Sequence, residues 1–544
     1  MVLSYSLMIV LEVLILAPLF SYLLFTQKGK TLVLAKSHLL IISTLLLAGA
    51  MVLFLVPKIS LLSEFDYTKL TADAWDHYLV TKSWSNTGVI ETDMYPYYAK
   101  FPIVYVPQIV LHQISGLTLF DSMTIFYLVA GVAGLLIING IAKEIMKGPR
   151  SERLIFAGIS CVVYSFLQYL NLIFAQQYPL ALATVAGLFC IYAFVSVANK
   201  RKRAILYLCI AGIMLSLSHP FAPIFMSFFF FAYFMAGKIF AFKRGPYSSL
   251  ISKRVAVFMS LALFVSGLTY AMIVTTGTFE RGVEWSGRNA QYTFEKLSSQ
   301  LFESTTSGVG QSFEGRYDAL ETIIYPLNWA LPAASSLSMV ILYLFGRSRV
   351  VDDQLSLLLP LAFVSTFMFV LTFAFSFVEF AFSRYFGAFA LVFNVPLTSY
   401  VILKIVKFRI SVVKYPMLAV VALAIASSVT DPSMIPYVGD GNQVIRNTAI
   451  YPTQLDLVAW DDFYSLFGDQ PRIVETNLNA GPINYYQKSF DYQNEIIINP
   501  KNYTASNDNS YLIIDKDKFD NAPELQDSPL MDRVYDNSKI YLVQ

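Results

Sequence analysis

The stretch FDYTKLTADAWDHYLVTKSW places Asp73, Asp76 and His77 within one turn of a helix, with Asp66 two turns earlier. Residues three and four apart share a helical face, so these three side chains can converge while Trp75 and Tyr78 reach toward an apolar surface. Carboxylates gathered in this way suit a general base that takes a proton from a hydroxyl. They equally suit oxygen ligation of a divalent cation such as Mg2+ or Mn2+. The alternative is plain: acidic residues in a loop are usually solvated, and an Asp is a good helix cap. The sequence has no clear metal motif, so the identity and existence of a metal site stay open.

The chain that must position these residues is 544 residues long, 56% hydrophobic and only 14% charged. Soluble domains carry about 25% charged residues. Such a chain needs lipid as solvent, which makes the bilayer its first partner. A net charge of +2 gives no general excess to attract nucleic acid. Cys161, Cys190 and Cys209 all lie in apolar runs and read as packing residues. The N-terminus lacks a basic flank and a cleavage site, and reads as a retained first span.

A span takes about 20 apolar residues, and about twelve candidates are present. They lie near 5–26, 38–56, 122–142, 154–171, 177–198, 204–218, 220–237, 255–275, 329–345, 355–377, 386–403 and 416–430. The expected fold is therefore a polytopic α-helical membrane protein. Its connecting segments alternate between basic and nearly lysine-free. Lys28 and Lys36, Lys143 to Arg153, Lys200 to Arg203, Lys238 to Arg254, Arg347 and Arg349, and Lys404 to Lys414 fall on one side. Positive loops stay in the cytoplasm, so the other side is external and both termini with it. Residues 101–117 are apolar but hold Pro102, Pro107, Gln108, His112 and Gln113. If they crossed, every later basic loop would face outward. They read instead as an interfacial or re-entrant helix.

Three external segments follow: loops near 57–120 and 276–328, and a tail from 431 to 544. The tail is rich in Asp, Asn and Tyr and contains the strand-like runs RIVETN, EIIINP, YLIID and KIYLVQ. It reads as a small extracytoplasmic α/β domain beyond a membrane domain of residues 1–430. No cysteine supports it. AWDDF at 459–463 reads as a helix with solvated acids.

A long first external loop with a D-x-x-D-H-Y core, followed by an N-T-G turn and an aromatic, Pro-rich lead into an interfacial helix, resembles the integral-membrane GT-C glycosyltransferases. QQYPLALA at 176–183 looks like their short external loop opening a span. SLSHPFAP at 216–223 looks like their His at an external helix end. SRYFGAFALVFNVPL at 383–397 looks like their late Arg-bearing span start, and VYDNSKIYLVQ like their final hairpin. Together these cover most of the chain, although each motif is short. An extra first span and the absence of a second-loop D-x-D and of WWDYG are departures. The last of these counts against en-bloc oligosaccharide transfer.

The resemblance implies a cell-membrane enzyme that moves a sugar from a polyprenyl- or dolichyl-phosphate donor to a glycan, lipid or protein acceptor. It implies catalytic roles for Asp73, Asp76 and His77. It implies donor binding by Arg384, His219, Gln177 and Tyr178. An arginine fork that cannot lose its charge is what a lipid phosphate requires, although Arg384 can also anchor at the interface or pair with Glu379. His219 is as readily structural, and Gln176, Gln177 and Tyr178 can equally cap the next span. Arg281, Arg288 and Arg316 of the second loop are alternative phosphate partners. The competing reading is a transporter or lipid-linked glycan flippase. Transporters place their polar sites near the bilayer midplane, whereas here only Glu12 stands out within a span.

Overall fold

The structure is a computed structural model. It describes residues 5–26, 36–64, 72–88, 102–146, 148–175, 177–219, 221–239, 250–269, 326–345, 355–376, 380–408 and 410–430. It also describes five strands between residues 473 and 543. Helix α1 spans Tyr5–Thr26, α2 Lys36–Glu64, α3 Ala72–Thr87, α4 Pro102–Ser115, α5 Leu119–Ile145, α6 Arg150–Phe166, α7 Gln168–Ala175 and α8 Pro179–Ala198. Then come α9 Ala204–Ser216, α10 Ala222–Ile239, α11 Leu250–Thr269, α12 Leu327–Phe345, α13 Leu355–Ser376, α14 Phe380–Lys407 and α15 Ser411–Thr430.

Every expected span falls on a helix as far as the described residues reach, that near 255–275 to Thr269, with one division. Residues 154–171 are not continuous: α6 stops at Leu167, whose extended backbone turns the chain into the short α7. Among the described residues, five helical segments are long and apolar enough to cross a membrane: Met8–Phe25, Leu119–Ile145, Pro179–Ala198, Leu327–Leu344 and Tyr385–Lys407. Other helices show shorter apolar stretches among the described residues, such as Ile41–Val56 of α2 and Leu358–Phe373 of α13. Their outer surfaces are apolar, as with Leu14 and Ile15 on α1, Ile205 and Ile213 on α9, and Phe258 and Leu261 on α11, all well exposed. Surface of this kind extends beyond the small patches a soluble monomer shows.

Helix α14 is central, with 89% of its apolar window buried. It packs on α12, α13 and α6, while α1 lies against α12 and α2 against α6. At mid-height the α14 side chain Asn394 donates to the Pro332 carbonyl and to Ser365 Oγ, and accepts from Thr398. Ser365 in turn donates to the Ala390 carbonyl. Buried polar groups in apolar surroundings must be paired, and this cluster ties three helices together. Gly387 lets α14 approach α12, since a Cβ there would meet the Trp329 ring at 2.9 Å.

The two ends of the bundle differ chemically. At the basic end Glu144 of α5 accepts from Asn199 and Arg201 beyond α8. There too the buried Glu152 of α6 pairs with Lys407 of α14 at 2.7 Å. At the opposite end Trp329 packs on Tyr169, with ring centroids 5.5 Å apart, and Asn328 donates to Ser427.

Strands β1 (Ile473–Thr476), β2 (Glu495–Ile498), β3 (Ser510–Asp515), β4 (Arg533–Asp536) and β5 (Ile540–Val543) form one sheet in the order β2-β1-β3-β5-β4. β1 is parallel to both β2 and β3, and β5 is antiparallel to β3 and β4. The four expected strand runs and the expected terminal hairpin coincide with these strands. The rest of the tail lies outside the described residues, as do most of the loop near 276–328 with Arg281, Arg288 and Arg316, together with Gln176 and Glu379.

Candidate active site

Helix α3 carries Asp73, Asp76 and His77 at positions i, i+3 and i+4, as their spacing predicts. The side chains of Asp73 and Asp76 lie outside the described residues. His77 is buried, and its Nδ1 is paired with the Tyr105 hydroxyl of α4 at 3.0 Å. Thr81 caps the same turn by donating to the His77 carbonyl at 2.7 Å. Trp84 lies one turn further along α3, with its ring 6.3 Å from that of Tyr105. An amphipathic helix makes this docking possible. α4 buries Val104, Tyr105, Gln108 and Ile109 and leaves Val106, Val110 and Ile114 exposed. At 14 residues it is about 21 Å long, short of the ~30 Å hydrocarbon core.

His219 sits in the turn between α9 and α10 and is fully buried. Its ring meets that of Tyr385 edge to face, with centroids 4.8 Å apart, and its Nδ1 accepts from the Phe221 N–H at 3.3 Å. Tyr385 immediately follows Arg384 in the first turns of α14. The Arg384 side chain lies outside the described residues, but its helix end is held against the His219 turn. Burial pushes the His219 imidazole down to about 3, and a charge on His77 disfavours its protonation further. Burial likewise pushes His77 down to about 3. Both rings are therefore neutral near pH 7.

Gln177 follows α7. The Tyr178 N–H reaches the Ile173 carbonyl and the Gln177 N–H reaches that of Phe174, the paired bonds that close a helix with a left-handed residue. That residue is Gln177, with φ of 57°, where glycine is usual. Its side chain is buried and donates from Nε2 to Thr124 Oγ1 of α5 at 2.9 Å. Tyr178 occupies the N-cap of α8, ahead of Pro179, and is half-buried. α5 begins at a cap of its own: Thr118 accepts from the Asp121 N–H and donates to the Asp121 carboxylate.

The structure thus joins α3 to α4 through His77 and Tyr105, the α9–α10 turn to the start of α14 through His219 and Tyr385, and the α7–α8 turn to α5 through Gln177 and Thr124. Tyr105 and Tyr385 are the partners that sequence reasoning missed. In a chain with 34 Tyr and 44 Phe, no local pattern marks them out. Among the described residues no group of three His, Cys, Asp or Glu side chains could hold a metal ion.

No protein-family model and no curated protein matches the chain. Among solved structures, the oligosaccharyltransferase of Archaeoglobus fulgidus tethered with an acceptor peptide is 16% identical, over 88% of this chain and 69% of that one, with a TM-score of 0.48. The Archaeoglobus fulgidus oligosaccharyltransferase AglB in complex with an inhibitory peptide and a dolichol-phosphate is 12% identical over 86% and 69%, at 0.45. ArnT from Cupriavidus metallidurans, bound to undecaprenyl phosphate, is 10% identical over 92% and 97%, at 0.22. Likeness at this level assigns no activity.

Proposed function

We propose that the chain is a GT-C-type membrane glycosyltransferase that works on the extracytoplasmic side. It transfers a sugar from a polyprenyl-phosphate donor to an acceptor hydroxyl. One observation carries this reading. Elements distant in sequence pair off at the end of the bundle remote from the basic loops: α3 with α4 through His77 and Tyr105, and the α9–α10 turn with the start of α14 through His219 and Tyr385. In this reading the helix that bears the two carboxylates faces the helix end that bears the arginine.

In this proposal Asp73 takes the proton of the acceptor hydroxyl as that oxygen forms its bond to the anomeric carbon. The bond from the anomeric carbon to the phosphate oxygen breaks, and the electron pair leaves with the polyprenyl phosphate. Arg384 stabilises the charge that grows on the departing phosphate. A single displacement inverts the anomeric centre. His77, neutral and bonded to Tyr105, holds α3 on α4 and so positions the carboxylates. His219 holds the start of α14 through Tyr385. Gln177 and Tyr178 lie on the donor-sugar side. Asp76 is the second carboxylate of the same face, and with Asp73 it is where a divalent cation would bind if one is used.

The test is Asp73→Asn in the full chain, with release of farnesyl phosphate from a farnesyl-phosphate-linked hexose measured in the presence of acceptor membranes. Loss of a general base lowers the rate by about 10²–10⁴. An unchanged rate in a variant that melts like the native protein would remove Asp73 from the mechanism.

A further inference from the structure

The basic end of the bundle carries a charge imbalance that its own packing does not resolve. Between Glu152 and Glu280 the chain holds ten lysines and arginines and no acidic residue. Helices α8 to α11 lie within that interval. The segment after α12 differs, setting Asp352 and Asp353 close in sequence to Arg347 and Arg349. The densest basic run is Lys200 to Arg203, the turn from α8 to α9, and all four residues are exposed. Arg201 pairs with Glu144 of α5 at 2.8 Å. Lys200, Lys202 and Arg203 pair with no acid among the described residues. Two of the four stand in left-handed backbone, with φ of 56° at Lys200 and 62° at Arg203. The turn thus carries cations where the backbone alone favours glycine.

These charges border apolar surface that faces lipid. α9 exposes Ile205, Leu206 and Ile210, and α11 exposes Phe258, Leu261 and Val265. The two helices run parallel: Ser266 donates to Ser216 Oγ at 2.9 Å, and one turn back Gly212 faces Met259 and Leu263. Carried down both helices, that register sets Arg203 level with Lys253, and Ala204 level with Arg254. Arg254 is exposed. The cations of the turn and of the α11 start therefore stand at one depth, where the apolar surface of both helices ends. Tyr207 is partly exposed one turn further in, the place of an interfacial aromatic ring. Cations at such a border attract anionic headgroups, by about fivefold in affinity for each Lys or Arg. A zwitterionic headgroup brings its own ammonium and gains little. A soluble anion meets the charges but makes no use of the apolar face beside them.

We infer that the α8–α9 turn and the start of α11 form a binding site for the phosphate headgroup of an anionic phospholipid, in the leaflet opposite the proposed transfer site. The site depends on the chain's place in a bilayer and not on the transfer chemistry. Cys209 supplies a reporter: it is the exposed one of the three cysteines and lies about 9 Å along α9 from Arg203. The full chain, carrying a fluorophore on Cys209, is placed in dioleoylphosphatidylcholine vesicles. Rising fractions of phosphatidylglycerol or phosphatidylcholine with dibrominated acyl chains, which quench on contact, are then compared. The native chain prefers the phosphatidylglycerol by about tenfold or more. That preference shrinks between about 0.05 M and about 0.5 M salt, as screening requires. Lys200→Gln, Lys202→Gln and Arg203→Gln together cut it at least about fivefold, whereas Lys200→Arg, Lys202→Arg and Arg203→Lys together keep it. Equal quenching of the native chain by both lipids overturns the site and leaves the cations as orientation signals only. A preference that survives the glutamine substitutions, or ignores salt, overturns it as well. Should the glutamine variant fail to insert, the lipid and salt comparisons on the native chain decide alone.

Discussion

His219 is buried without charge in a turn that α14 must lean on, and that makes the site sensitive to acid. Its folded value of about 3 lies well below the ordinary 6.5. Between these values the unfolded chain holds a proton that the folded chain does not, so stability is full above about pH 6.5 and falls as pH drops toward 3. His77 contributes in the same direction. The melting temperature of the native protein should fall between pH 7.5 and pH 5, and His219→Gln, which cannot titrate, should show a shallower fall. Identical slopes would show that the ring does not stay buried and neutral. At this scale the sequence was informative about residue types and poor about partners. The D-x-x-D-H spacing announced a shared helical face, but that His77 would meet Tyr105 and His219 would meet Tyr385 depends on long-range packing that no local pattern encodes.

Among the elements, the α7–α8 turn carries a testable cost. A non-glycine residue in the left-handed conformation is disfavoured by about 1 kcal/mol, and Gln177 accepts this at φ of 57°. Gln177→Gly should therefore leave the melting temperature equal or raised, because glycine suits the helix closure. The same variant should lower sugar transfer, because the amide is gone. A stability loss with unchanged transfer would mean that the side chain serves only to brace α5. The apolar runs made the helices legible almost to their ends. The break at Leu167 was not, because LQYLN contains neither glycine nor proline and the chain turns there for tertiary reasons. In the tail, RIVETN, EIIINP and YLIID read correctly as strands because their β-branched residues are local signals. The order β2-β1-β3-β5-β4 could not be read, since parallel neighbours need crossovers that leave no mark on the strands themselves.

At the level of the whole molecule, the basic residues and the site occupy opposite ends of one bundle. Glu144 with Arg201, and Glu152 with Lys407, bind the basic end together. The largest polar cluster at mid-height, around Asn394, closes on itself with both amide donors and its oxygen engaged. This cluster therefore serves packing and offers no open polar group to a transport pathway, whereas both Glu12 carboxylate oxygens within α1 are buried with no hydrogen-bond partner among the described residues. The proposed sidedness is open to a direct check. A single cysteine placed at Ser115, in a chain whose native cysteines are replaced by serine, should react with an impermeant maleimide added to intact cells. One placed at Lys202 should react only after lysis. The reverse pattern would put the site in the cytoplasm.

The central claim is single displacement from a lipid phosphate with Asp73 as base. It is tested most directly by following a farnesyl-phosphate-linked hexose, ¹³C-labelled at the anomeric carbon, by NMR as the purified chain consumes it with acceptor membranes. One product resonance of inverted anomeric configuration is expected, absent with Asp73→Asn. Retention of configuration, or the same product from Asp73→Asn at the native rate, would contradict it.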